Sequence, residues 1–235
     1  MSDQPIAVAF FDPATGLHGS ARSGFAILFR GDDKEVLDEP PRLARDGEGW
    51  NAELAGRAEL AFEPISGDAR LEGAVARVCQ VRGSVDGRRV ECLGTAIETS
   101  DPPTWSDLDA TRAVSALFDT EHAVLAFARR PRGARGHGEE QVKGWLLDGE
   151  ELRSVEETRL STLYDGDGRQ RNAGLELWLA GEDFPRRVVG EARAGVSLAL
   201  EGLHVHAAVF AWRMEGRDGM GAYELTVRRE PEAAA

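Results

Sequence analysis

From Gly24 to Arg30 the chain alternates, placing Phe25, Ile27 and Phe29 on one side. The same period of two returns at Leu175, Leu177 and Leu179, and again at Tyr223, Leu225 and Val227. Successive side chains of an extended chain point to opposite faces, so each run predicts a half-buried β-strand. Asp-Gly pairs punctuate the chain at Asp46-Gly47, Asp86-Gly87, Asp148-Gly149, Asp165-Gly166, Asp167-Gly168 and Asp218-Gly219. A type I′ turn needs positive φ at both central residues, and Asp-Gly tolerates it, so these pairs predict hairpins. Val75, Cys79 and Val81 run towards Asp86-Gly87, and Val90, Cys92 and Gly94 return from it. A two-residue loop there sets Val81 opposite Cys92 and leaves Cys79 diagonal to it, a poor reach for a disulfide. Two free, packed thiols are expected. Ordinary strand and loop lengths fit roughly 12 to 16 strands into the chain.

One segment departs from this pattern. Ser106 with Asp109 makes a capping box, and Leu108, Thr111, Val114, Leu117 and Phe118 form a helical stripe, which predicts a helix over Ser106 to Phe118. Pro102-Pro103 stops the strand before it. The segment falls near the middle of the chain, where a boundary between two β halves would lie. A faint echo supports two halves. Val85-Asp86-Gly87-Arg88 followed by Gly94-Thr95-Ala96-Ile97 resembles Met214-Glu215-Gly216-Arg217 followed by Gly221-Ala222-Tyr223-Glu224, each reading as hairpin, turn and Gly-led strand. The expected architecture is all-β, in two similar antiparallel halves, 1–118 and 119–235, with one short helix between them.

Composition narrows the function. The 235 residues are 42% hydrophobic, enough for a real core, and carry a net charge of −13. That charge repels nucleic-acid phosphate and anionic membrane surfaces, so neither is an expected partner. Two cysteines without a Cys-x-x-Cys exclude a disulfide scaffold and a structural zinc protein. No apolar run approaches the ~18 residues of a membrane-spanning helix. Met1 to Phe11 does not read as a signal peptide, which makes the cytoplasm the expected compartment. There is no P-loop and no zinc-binding His-Glu-x-x-His. The nearest match to a nucleophile elbow, Gly195 to Ala199, lies within an alternating strand. Gly216 to Gly221 precedes a strand rather than opening a helix, and Asp165 to Gly168 lacks the further ligands of a calcium loop. No cofactor or metal is expected.

Three places could carry chemistry. On the strand from Leu203 to Trp212, His204, His206, Phe210 and Trp212 share one face, and Leu203, Val205, Ala207 and Val209 share the other. An aromatic wall with two imidazoles suits an apolar ligand with a polar handle. The glycine-rich lead-in from Gly136 to Gln141 sets Glu140 opposite Glu139 and Gln141. Burial in a barrel would raise the pKa of that carboxyl and make it an acid. Arg129, Arg130, Arg132 and Arg135 surround Pro131 as a basic cluster, a solvated loop or a partner contact.

Two segments carry a family resemblance. The first is Phe10-Phe11-Asp12-Pro13-Ala14-Thr15-Gly16-Leu17-His18-Gly19, with Ala21-Arg22-Ser23-Gly24 behind it. The second runs from His204-Val205-His206 through Trp212-Arg213 to Gly219-Met220-Gly221-Ala222-Tyr223-Glu224. Together they resemble the lipocalin-like superfamily of carotenoid 1,2-hydratases (hydroxyneurosporene synthases) and AttH-type proteins. The resemblance implies two consecutive lipocalin-like β-barrel or sandwich halves with an apolar cavity, acting on isoprenoid or polyene molecules without a redox cofactor. It assigns no catalytic residue.

Three functions follow. The first is an isoprenoid hydratase or cyclase that protonates an alkene and captures the cation, with Glu140 or His206 as the acid. Phe210, Trp212, Tyr223 and Trp178, with His204, would line its cavity. The second is a noncatalytic carrier of an apolar ligand. The third is a scaffold that meets a partner through the arginine cluster.

Overall fold

The computed structural model describes residues 4–200 and 202–228. Ten strands precede residue 100: β1 (Ile6–Asp12), β2 (Leu17–Arg22), β3 (Phe25–Arg30), β4 (Asp33–Leu37), β5 (Arg42–Asp46), β6 (Gly49–Leu54), β7 (Ala58–Pro64), β8 (Ala69–Leu71), β9 (Ala74–Val85) and β10 (Arg88–Thr99). Nine follow: β11 (Leu108–Leu117), β12 (His122–Pro131), β13 (Gln141–Asp148), β14 (Glu151–Ser154), β15 (Glu157–Tyr164), β16 (Gln170–Trp178), β17 (Arg186–Leu200), β18 (Leu203–Met214) and β19 (Arg217–Arg228). Among the described residues the only helical element is a 3-10 turn, His137–Glu139, and none is long and apolar enough to cross a membrane.

Two curled antiparallel sheets result. The first runs β4-β3-β2-β1-β10-β9-β7-β6-β5, with β8 added against β9; the second runs β14-β13-β12-β11-β19-β18-β17-β16-β15. The two orders are the same once β8 is set aside. In each half the first strand pairs with the last, three strands run outwards from the first and four from the last. This is the tandem of two barrel halves expected from the pattern. The sheets change over within residues 100–107.

Glycines set the seam where first and last strands meet. A Cβ on Gly94 would lie 2.3 Å from the Ala9 carbonyl oxygen, and one on Gly221 would lie 1.8 Å from that of Ser115. Only glycine lets the last strand approach so closely. The two echoing segments therefore occupy equivalent places. Their hairpin turns match as well, with positive φ at Asp86-Gly87 and at Glu215-Gly216. The first hairpin pairs Cys92 with Val81 as its turn requires, and both cysteines are free and buried.

Within the segment Ser106 to Phe118, Leu108–Leu117 form strand β11, and no helix is present there. The strand pairs with β12 on one side and β19 on the other. Leu108, Ala110, Val114 and Ala116 are buried, and so are Ser115 and Leu117 on the opposite face. A strand buried on both faces shows no alternation, and its apolar positions happened to fit a helical stripe. Ladder bonds to two neighbours outweigh the local capping signal.

Three apolar clusters fill the molecule. Phe10, Trp50, Phe62, Cys79 and Val81 belong to the interior of the first half. Val114, Leu146, Leu175, Phe210, Trp212 and Tyr223 belong to that of the second. A third cluster joins Phe11, Phe25 and Phe29 to Leu125, Trp145, Ala207 and Val209, and so lies between the halves. The walls shared by the second and third clusters are strands whose two faces are both covered.

Candidate functional site

The third cluster is incomplete. Between the halves lies a cavity of about 490 Å³, within the ~300–1,000 Å³ range of small-molecule sites. Its first wall comes from β1, β2, β3, β9 and β10, its second from β11, β12, β13, β18 and β19, and residues 101–105 form part of its rim. Small residues make the space. Ala7 and Ala9 on β1, Ala74 and Ala76 on β9, Ala113 on β11 and Ala207 on β18 line it. Each is one face of a strand whose other face carries larger core side chains, as Val8 and Phe10 do on β1.

The cavity has a polar end and an apolar end. Ala7 pairs with Arg22, and four residues further along β1 Phe11 pairs with His18. On the facing wall Arg129 pairs with Thr111, and four residues back Leu125 pairs with Ser115. Four strand residues span about 13 Å. The Arg22 guanidinium meets the Glu224 carboxylate of the opposite half at 2.8 Å, which places the two polar ends together. Arg129 meets Glu72, also across the halves, at 2.8 Å. Arg22 lies over the Phe25 ring and Arg129 over that of Phe127, at 4.7 and 5.6 Å from the ring centres. At the far end stand Phe11, Phe29, Leu125 and Trp145. Behind them His18 is buried, its Nδ1 without a hydrogen-bond partner among the described residues. Burial pushes its pKa down to about 4, against a smaller upward pull from Asp12.

The residues expected from the sequence to form the site sit elsewhere, with one exception. The aromatic face of β18 looks into the second half, whose interior is filled. Phe210 stacks on Trp212 at 5.0 Å and tilts against Tyr223 at 5.5 Å, and all three are buried. Of the expected residues only Tyr223 touches the cavity between the halves. The face that reads as plain core, Val205, Ala207 and Val209, is the one that lines it. Trp178 is half-buried on β16, with the Arg159 guanidinium 5.9 Å from its ring. His204 and His206 are neighbours with ring centres 6.4 Å apart, and His206 Nδ1 lies 2.7 Å from the Ser197 hydroxyl. Burial, then the neighbouring His204, lowers the His206 pKa.

Glu140 does enter an interior, but in company. Its side chain, 1% exposed, is held between the guanidiniums of Arg112 and Arg130, with Arg130 at 2.6 Å. Arg112, 2% exposed, also donates to the hydroxyls of Thr162 and Tyr223, at 3.2 and 3.3 Å. The Tyr223 and Thr162 hydroxyls are 2.6 Å apart, and burial raises the tyrosine to about 12. Leu225 pairs with Arg112 on one side and with His206 on the other. Two strand spacings, about 10 Å, therefore separate the Arg112–Glu140 pair from His206. Arg112 went unnoticed in the sequence because its segment reads as a helix. The arginine cluster divides: Arg129 and Arg130 lie on β12 and are engaged by Glu72 and Glu140, while Arg132 donates to the Ser106 carbonyl. The alternation of small and large residues on β1 was the legible signal of the cavity.

The fold and its cavity define a class of protein built from two curled antiparallel β halves, lipocalin-like in form, with an apolar chamber between them. Comparison with solved structures agrees. The chain is similar to an AttH-like protein from Nitrosomonas europaea at 12% identity and a TM-score of 0.59, covering 94% of this chain and 91% of that one. It is similar to kievitone hydratase from Nectria haematococca at 8% identity and a TM-score of 0.62, covering 97% of this chain and 90% of that one. At these identities the likeness is one of fold. No family model and no curated protein sequence matches the chain.

Proposed function

We propose that this protein binds an apolar small molecule, of isoprenoid or polyene type, in the chamber between its two halves. The observation that carries the reading is the cavity itself, a space left by alanines in the core between the halves and open at its rim. Interiors pack to crystal-like density, and an empty apolar space forfeits contacts that a ligand would restore. The test is tryptophan quenching by retinol, since Trp145 and Trp105 line the cavity, together with native mass spectrometry of gently purified protein. Saturable quenching or a stoichiometric apolar adduct is expected, and Ala207→Phe, which projects a ring into the chamber, should weaken both without loss of folding. Equal binding by the variant, or no adduct and no quenching in the parent, would sink the reading.

The likeness to a hydratase favours a second step, cofactor-independent hydration or cyclisation of the bound molecule. This reading requires the molecule to reach Glu140 or His206, the acids expected from the sequence, neither of which lines the chamber. Its test is that Glu140→Gln and His206→Asn, each first shown to be folded, keep binding and lose product. A bound polyene extracted unchanged after prolonged incubation would leave the carrier function alone.

A further inference from the structure

Resting on that reading of the chamber, we infer that its ligand is an amphiphile whose head is a carboxylate, seated at Arg129. Two arginines, Arg22 and Arg129, line the cavity, both at its polar end. Each is anchored on an aromatic ring of its own half and answered by a carboxylate of the other half. The chain thus already places carboxylates where a ligand head would lie. The two pairs differ in how firmly they are held.

Glu224 is on β19, the central strand of its sheet, is half-buried, and also accepts from the Thr226 hydroxyl at 3.4 Å. It belongs to the wall. Glu72 is on the short turn between β8 and β9, and its side chain is 69% exposed. The Glu72 carboxylate is therefore the solvated and mobile partner of the pair, the one that a ligand carboxylate can displace. Arg129 itself is mostly buried and fixed. It lies over Phe127 and donates from Nη2 to the Glu72 carbonyl at 2.7 Å, while its Nε, shielded from solvent, has no hydrogen-bond partner among the described residues. A guanidinium presents a planar fork that matches a carboxylate with two parallel bonds. A ligand carboxylate would take the place of the Glu72 carboxylate at Nη1, and the enclosed Nε takes no part in that contact.

The apolar end fixes the rest of the molecule. From the Arg129 row to the Leu125 row the wall runs about 13 Å, enough for a chain of roughly ten carbons at strand-like rise. Asp101, exposed on the rim, offsets positive charge at the mouth, so the preference comes from contact at Arg129 and not from the net charge there.

The test compares decanoic acid with its methyl ester, a pair with the same ten-carbon chain and different heads, by the change in tryptophan fluorescence at neutral pH and 0.15 M salt. The acid should bind at least tenfold more tightly than the ester. Arg129→Gln should bring the acid down to the ester's affinity and leave the ester unchanged, and Glu72→Gln should strengthen the acid severalfold. Equal binding of acid and ester by the parent protein overturns the carboxylate inference and leaves the chamber standing. An acid preference that survives Arg129→Gln also overturns it. If neither probe binds, the chamber reading fails and takes this one with it.

Discussion

The two halves share one strand order and bury different chemistry. Each sets a glutamate between two arginines. In the first half Glu98 meets Arg45 at 2.9 Å and Arg77 at 3.6 Å, with the Arg45 side chain 51% exposed. In the second, Glu140 meets Arg112 and Arg130 deep inside. The first half buries a neutral base instead, His18, behind the chamber wall. One topology thus tolerates a charged trio with one arginine out in solvent in one copy and a trio sunk in the core of the other. The difference lies in how much solvent each reaches. Water screens the Arg45 arm of the first trio, whereas the second must be held by its own geometry and by the hydroxyls of Thr162 and Tyr223.

The largest effect should come from breaking the sunken trio. Arg112→Ala leaves a buried carboxylate short of a partner and should cost about 3–5 kcal/mol in urea unfolding. A loss below 1 kcal/mol would show that the second half solvates its interior as freely as the first. Next comes acid. The folded pKa of His18 is depressed below the ~6.5 of the unfolded chain, so above that pH the group contributes no penalty. As pH falls from about 6.5 to 4 the unfolded chain takes up a proton that the folded chain refuses, and stability drops by about 3 kcal/mol. His18→Phe should flatten the profile over that window, and an unchanged slope would remove His18 as its cause. The smallest effect belongs to the rim. Arg45→Ala should cost about 0–1 kcal/mol and lose even that in 1 M salt. A cost comparable with that of Arg112→Ala would erase the contrast between the halves.

How much was legible follows from how many faces of a strand are covered. β19 was read correctly where alternation survives, and so was β3, which is buried on both faces but too short a run to pass for a helix, as were the turns at Asp86-Gly87 and Glu215-Gly216, whose chemistry is local. β11 was misread because both its faces are buried. The same cause obscured which face of β18 lines the cavity. β18 has an aromatic face and an aliphatic face, and ordinary expectation sends the aliphatic one to the core and the aromatic one to a ligand. Here Phe210 and Trp212 fill the interior of a half, and the small aliphatic residues look across at the other half. Which of two buried faces meets a second sheet depends on how the halves dock, and no local pattern records that. Burial of Glu140 was raised in the sequence only as a condition for its acting as an acid; the structure buries its side chain between two guanidiniums that come from β11 and β12, far from any spacing rule.

The chamber interrupts the cluster that joins the two sheets, and the connection between them, residues 101–105, forms part of its rim. A molecule that fills it becomes a shared component of both halves, and its occupancy is thermodynamically linked to their association. At a free concentration one hundred times its dissociation constant such a molecule adds about 2.7 kcal/mol to the folded state. The filled protein should then melt as one cooperative unit at a temperature that climbs with ligand concentration. Emptying the chamber should loosen the seam between the halves before either sheet gives way.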